Sequence, residues 1–191
     1  MTSADFDPDA LRWVLDDLAY HQSRVLLLVH AVAADPGHQR KLDGLTKLAK
    51  LDFLVRYPAF AGIILDGLED SDERLHLEDG DRLTPTDVED PMVRYKYGPW
   101  DDRYYPVVGA LVSRGLLKYV RGRRGSVALA PTASGQRLAA ELSADANWRE
   151  IADRCEAVAQ ASAGLTGNAL KERIYERLAD LMDRPHREVI S

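Results

Sequence analysis

MVRYKYGPWDDRYYPVVGALVSRGLLKYVRGRRGSVALAPT, residues 92–132, is the stretch whose reading decides the fold. It begins with an extended piece over 94–97 and breaks at Gly98-Pro99. Tyr104, Val107, Val108, Leu111 and Val112 then recur at the spacing of one helical face. Pro106 sits near the start of that helix, so either its first turn bends or regular helix begins at about Tyr105. Arg114 and Gly115 suit a C-terminal turn and cap. Two strand-like runs follow, 116–120 and 126–130, joined by the basic turn Arg121-Gly122-Arg123-Arg124-Gly125. Gly122 and Gly125 are placed to supply the positive φ of a tight connection. Thr132 reads as the N-cap of a further helix, with Leu138 and Leu142 facing the core. Helix, hairpin and helix, with arginines at the hairpin tip, predict a winged helix-turn-helix core.

Working outward, the segment before this stretch has the opposite charge. Residues 66–90 hold eleven Asp or Glu against two Arg, a net of −9. Residues 92–124 hold eight Lys or Arg against two Asp, a net of +6. With little apolar periodicity, and with Gly80 and Pro85 as punctuation, 66–90 reads as a flexible acidic loop that could mask the basic hairpin. Further upstream, Asp7-Pro8-Asp9 is a helix start: a cap, a proline at the first position and an acid at the positive dipole end. Leu11, Val14, Leu15, Leu18, Val25, Val29 and Val32 continue that helix to Asp35-Pro36-Gly37. A second helix over 43–56 turns Leu45, Leu48, Leu51, Leu54 and Val55 inward and stops at Tyr57-Pro58. A short third, over 59–68, buries Phe60, Ile63 and Ile64.

Downstream, one helix is expected over 147–161 with Ile151, Cys155 and Val158 inward, and a last one over 168–182, ended by Pro185. The predicted architecture is mainly α with a small β-hairpin. Residues 1–143 form the winged-helix domain, with its long N-terminal helix and acidic loop, and 144–191 a C-terminal helical appendage.

Composition narrows the function. Of 191 residues, 46% are hydrophobic, enough for a sizeable core, while a net charge of −6 makes the average surface repel nucleic acid. One cysteine, Cys155, excludes an intramolecular disulfide and a cysteine zinc site, and suits a reducing cytoplasm. The acidic N-terminus lacks the basic and apolar regions of a secretory signal, and the longest apolar run, 25–29, is far too short for a membrane span. The five histidines are scattered, and no nucleophile elbow, phosphate loop or calcium loop occurs. No catalytic residue, metal site or cofactor is expected.

Two constellations remain. Lys118, Arg121, Arg123 and Arg124 at the hairpin tip are candidate nucleic-acid contacts, projected from the body to neutralise phosphates. The helix before the hairpin offers Asp101, Asp102, Arg103, Ser113 and Arg114, with no Asn, Gln or Lys for base edges, so weak backbone contact is expected rather than sequence reading. The second is the aromatic cluster Tyr95, Tyr97, Trp100, Tyr104, Tyr105 and Tyr119, in which Trp100 and Tyr104 are expected to reach outward.

Three stretches carry a resemblance: Leu48-Ala49-Lys50-Leu51-Asp52-Phe53-Leu54-Val55-Arg56-Tyr57-Pro58; Arg94-Tyr95-Lys96-Tyr97-Gly98-Pro99-Trp100-Asp101-Asp102-Arg103-Tyr104-Tyr105; and Leu165-Thr166-Gly167-Asn168-Ala169-Leu170-Lys171 with Ile174-Tyr175-Glu176. Together they resemble the middle component of bacterial ABC-three-component conflict systems, related to Lamassu-type anti-phage systems. The resemblance implies a non-catalytic winged-helix adaptor, encoded beside an SMC-like or Rad50-like ABC ATPase and an effector, which it bridges or regulates. Trp100, Arg103, Tyr104, Lys171 and Tyr175, all within those stretches, are then candidate partner contacts. The alternative is a free-standing winged-helix transcriptional regulator, a homodimer through its first or last helix.

Overall fold

The computed structural model describes residues 8–77, 92–95, 98–179, 183 and 189–190, with side chains over 18–77, 92, 98–179 and 183. The helices are α1 (Pro8–Ala34), α2 (Leu45–Arg56), α3 (Ala61–Ile64), α4 (Tyr104–Ser113), α5 (Ala133–Ala144), α6 (Arg149–Ala161) and α7 (Gly167–Arg177). The strands are β1 (Leu42–Asp43), β2 (Met92–Tyr95), β3 (Gly98–Trp100), β4 (Leu117–Arg121), β5 (Val127–Pro131) and β6 (Val189–Ile190). They make two small antiparallel sheets, ordered β1-β5-β4 and β3-β2-β6. The protein is mainly helical, as its periodicity predicts, and among the described residues no helix is long and apolar enough to cross a membrane.

The hairpin region forms where its local chemistry puts it. The C-terminus of α4 is closed by Gly115 at φ +67, with Gly115 N–H donating to the Val112 carbonyl (2.9 Å) and Leu116 N–H to the Leu111 carbonyl (2.9 Å). That paired pattern needs a left-handed residue, which glycine adopts without a Cβ clash. Leu117 then pairs with Pro131 and Arg121 with Val127. Thr132 caps α5 by accepting from Gly135 N–H at 3.1 Å, and its hydroxyl donates to the Gly115 carbonyl at 2.6 Å. One side chain thus joins two helix ends, and such caps are each worth about 1 kcal/mol.

The turn departs from expectation in one respect. Gly125 has the positive φ (+81), but the other left-handed residue is Arg124 (φ +51), not Gly122. Gly122 is extended, and a side chain there would crowd Ser126 and Asp43. A Cβ would stand 2.6 Å from Ser126 Oγ and 3.0 Å from Asp43 Oδ1.

Several other expectations are corrected. The start of the second helix, 43–44, belongs to strand β1 and its cap, because Leu42 pairs with Leu129 and Asp43 with Ala128. A two-residue strand has no period to read. The third helix is a single turn after a 3-10 turn, and on that shorter helix Ile63 points outward while Ile64 is buried. The acidic segment is no free loop over 66–77: Leu68 and Leu75 are buried in the core. Its acids meet cations of the body, Asp66 with Arg173 (2.9 Å) and Arg177 (2.8 Å), and Arg154 Nε donates to the Leu75 carbonyl (2.9 Å). The cations that neutralise Asp66 lie on α7, not on the hairpin. Residues 78–90, the rest of the expected mask, lie outside the described residues.

One core runs from α1 to α7. Val25, Leu26, Leu28 and Val29 of α1 pack with Leu48, Leu51 and Leu54 of α2, and with Val107, Val108 and Leu111 of α4. Cys155, Val158, Leu170 and Ile174 of the last two helices join the same cluster, with α6 lying along α1 and α7 against α2.

Candidate functional site

The three stretches that carry the resemblance meet around α2. From Lys47 to Arg56 every residue of this helix is buried, because α1, α6, α7 and β3 all pack on it. The leucine spacing predicts a single inward face. In the fold the opposite face is covered too, and it takes Lys47, Lys50, Asp52 and Arg56 out of solvent.

On one side of α2 the charges are matched. Asp52 accepts from Arg24 through both oxygens, Nε to Oδ1 at 2.8 Å and Nη2 to Oδ2 at 3.1 Å, and from the Tyr104 hydroxyl at 2.7 Å. Burial by itself would raise its pKa, but the charge and hydrogen bonds of Arg24, then Arg56 and Tyr104, outweigh it and hold the carboxyl below the usual range. Arg56 also donates to Asp101 at 2.9 Å, and Arg103 closes on the same carboxylate at 2.9 and 2.8 Å. Asp101 is held well below the ordinary carboxylate range: Arg103's hydrogen bonds and charge, then Arg56's charge, overcome the upward pull of burial.

This arrangement corrects one assignment. Tyr104 does not reach outward: it is 2% exposed, and burial together with Asp52 keeps its hydroxyl protonated. The exposed ring is Tyr105, at 63%, with Trp100 half-buried beside it, ring centres 5.9 Å apart. Tyr104, Val107, Val108 and Leu111 share one helical face, so the same spacing that finds the core of α4 also places Tyr104 inside. Arg103 is clamped against Asp101 and only partly exposed.

The four hairpin cations do not form one patch. Arg121 and Lys118 stand three residues apart on β4 and therefore on opposite faces. Lys118 borders a recess with Arg40 and Gln136. Arg123 is turned back toward the body, its backbone N–H donating to Asp43 Oδ1 at 3.3 Å and its Nε 3.7 Å from Oδ2. Lys41 Nζ ties the Arg121 carbonyl at 3.0 Å, so the hairpin is held to the body rather than projected from it. Arg124 is exposed at the tip. Tyr119 and Val127, missed as exposed apolar residues, are 56% and 58% exposed and share Arg121's face of the sheet.

On the other side of α2 the buried lysines meet neutral groups. Lys47, Lys50, Arg123 and Lys171 line a cleft of about 430 Å³, with Asp43 the single acid among the described residues there. Lys171 also lies over the Tyr175 ring, 5.7 Å from its centre. The sequence reading assigns Arg123 to nucleic acid and Lys171 to a protein partner, and the fold places both on one cleft. Lys47 and Lys50 were not singled out, since on an amphipathic helix a lysine reads as solvated.

Among the described residues no three His, Cys, Asp or Glu side chains gather as metal ligands. No protein-family model, curated protein or solved structure matches the chain.

Proposed function

We propose that this chain is a non-catalytic winged-helix adaptor that joins an SMC-like or Rad50-like ABC ATPase to an effector in a prokaryotic defence complex. The winged-helix reading is supported by the order α1, β1, α2, α4, β4, β5, with β1 pairing on β5 in the sheet β1-β5-β4. In that reading α4 is the recognition helix and β4–β5 the wing. The partners rest on the resemblance of the three stretches, and the cytoplasm is the compartment in which such a complex would work.

One observation carries the adaptor over the DNA reader. From Tyr104 to Ser113, α4 holds no charged residue, and its exposed side presents Tyr105 and Pro106. Base edges in the major groove are read chiefly by Arg, Lys, Asn or Gln; here only Arg103 and Arg114 flank the helix, the first held on Asp101 and the second donating to Gln22. Exposed tyrosine beside tryptophan instead suits a protein partner. Co-expression with the ATPase encoded beside it tests the reading. A stable complex that Tyr105→Asp weakens at least tenfold is expected, and a chain that never associates with that ATPase would sink it.

A second reading, a free-standing regulator, is favoured by exposed Arg121 and Arg124 at the wing. It requires nanomolar, sequence-selective binding to the chain's own promoter. The adaptor reading allows only weak DNA binding with a steep salt dependence.

A further inference from the structure

The cleft beside α2 has the features of a ligand site, and these stand independently of the adaptor reading. Lys47 and Lys50 are only 5% and 2% exposed. Three residues apart on α2, they present their ammonium groups on one side of the helix. Their partners are all neutral. Lys47 Nζ donates to the Leu165 carbonyl at 2.6 Å and to His38 Nδ1 at 3.1 Å. His38 is held neutral, chiefly by burial, and its Nε2 faces the Ala159 carbonyl at 2.8 Å, so Nδ1 is left to accept. Lys50 Nζ donates to the Thr46 carbonyl of its own helix at 3.0 Å. Among the described residues, neither lysine has a carboxylate partner.

Buried ammonium groups are normally paired, because removal from water costs several kcal/mol per ion. Here burial brings both lysines down to about 8, opposed at Lys47 by Asp43 and reinforced at Lys50 by Lys171. Asp43, the one acid on the cleft among the described residues, is already engaged by Arg123. Among the described residues Lys47 and Lys50 on this cleft meet no carboxylate, which leaves room for an anionic ligand. Two helix N-termini add to this field. The first turn of α2 borders the cleft at Thr46, with Gly44 as a cap lacking a side-chain acceptor, and the first turn of α7 borders it at Gly167 and Asn168. Among the described residues no Phe, Tyr or Trp lines the cleft, so recognition rests chiefly on the charged groups.

We propose that this cleft binds a small phosphorylated ligand, whose phosphate oxygens are neutralised by Lys47, Lys50 and Lys171. A volume of about 430 Å³ is in the range of small-ligand sites. Lysine as a point charge, combined with helix N-terminal N–H groups, is a common means of holding phosphate.

The test titrates the full chain with inorganic phosphate and with pyrophosphate, read by calorimetry and by thermal shift, with sodium chloride at matched ionic strength as control. A saturable rise in Tm is expected, larger for pyrophosphate than for phosphate. Lys50→Met should bind pyrophosphate at least tenfold more weakly while its ligand-free Tm equals or exceeds the parent's. Lys171→Met alters a half-buried residue at the cleft and should weaken binding at least threefold. The proposal is overturned if neither anion gives a saturable response beyond the chloride control. It is also overturned if either variant keeps the parent's affinity, or if Lys50→Met melts several degrees lower, which marks that lysine as structural. Displacement of pyrophosphate by duplex DNA at a lower phosphate concentration would assign the cleft to a nucleic-acid backbone and overturn the small-ligand assignment.

Discussion

Two sides of one helix treat buried charge in opposite ways. Around Asp52 the cations of α1 and α2 converge on carboxylates: Arg24 on Asp52, Arg56 on Asp101, and Arg103 closing the same group. Two and five residues earlier, Lys50 and Lys47 are buried to nearly the same degree and meet only carbonyls and an imidazole. A matched set is explained by the fold that it holds together. An unmatched set is a cost that folding alone does not explain, and buried groups of this kind gather at functional sites. The contrast separates the structural part of the site from the part available to a ligand.

The largest effect should come from breaking the matched side. Asp52→Ala strands Arg24 and weakens the hold on Tyr104, and removing one partner of a buried ion pair costs about 3–5 kcal/mol. Urea denaturation should show that loss, and a variant within about 1 kcal/mol of the parent would mean that water replaces the carboxylate. The same pair sets the acid limit. Asp52 and Asp101 both have folded pKa values below the ordinary 3.8. Their contribution is therefore fully present above the unfolded value and is lost as pH falls from there through the folded values. Acid unfolding should set in below about pH 4. Next in size, Tyr104→Phe keeps the ring and removes a 2.7 Å hydrogen bond to a carboxylate, at a cost of about 1.5–3 kcal/mol in the same assay.

The unmatched side should respond with the opposite sign. Lys50→Met replaces an unpaired buried ammonium by a side chain of similar volume, and should stabilise the ligand-free protein by roughly 1 kcal/mol at pH 7. The pH dependence has the same origin. Lys47 and Lys50 are lowered in the folded state, so the unfolded chain binds more protons between about 8 and the ordinary 10.5. Stability of the ligand-free parent should rise across that window. The groups facing these lysines are His38, Asp43, Arg123 and Lys171. Stability that falls steadily between pH 8 and 10 would indicate that both lysines are paired in solution. The smallest effect belongs to the exposed tip: Arg124→Ala should change stability by no more than about 0.5 kcal/mol. A larger loss would show that the hairpin is held by more than Asp43 and Lys41.

Much of the architecture is legible without coordinates. Gly115 and Thr132 mark the ends of α4 and α5 by their chemistry, and Asp7-Pro8 marks the start of α1 at Pro8. The candidate site was legible only in fragments. The aromatic cluster contains both Tyr104 and Tyr105, but its composition does not tell that Tyr104 turns inward and Tyr105 outward. Lys47 and Lys50 escaped because their burial depends on α7 and the 36–38 turn, more than 100 residues from each other in sequence.

What the chain alone determines here is local: caps, proline stops, the hairpin and the apolar face of each helix. These follow from interactions within four or five residues, where spacing and side-chain chemistry are sufficient. The tertiary structure decides which charged residues lose water and what they meet there. Leu45–Arg56 reads as an amphipathic surface helix until α1, α6, α7 and β3 close on it. Desolvation is a property of everything packed around a group, so Asp52 found its arginines, while Lys47 and Lys50 were left facing the cleft.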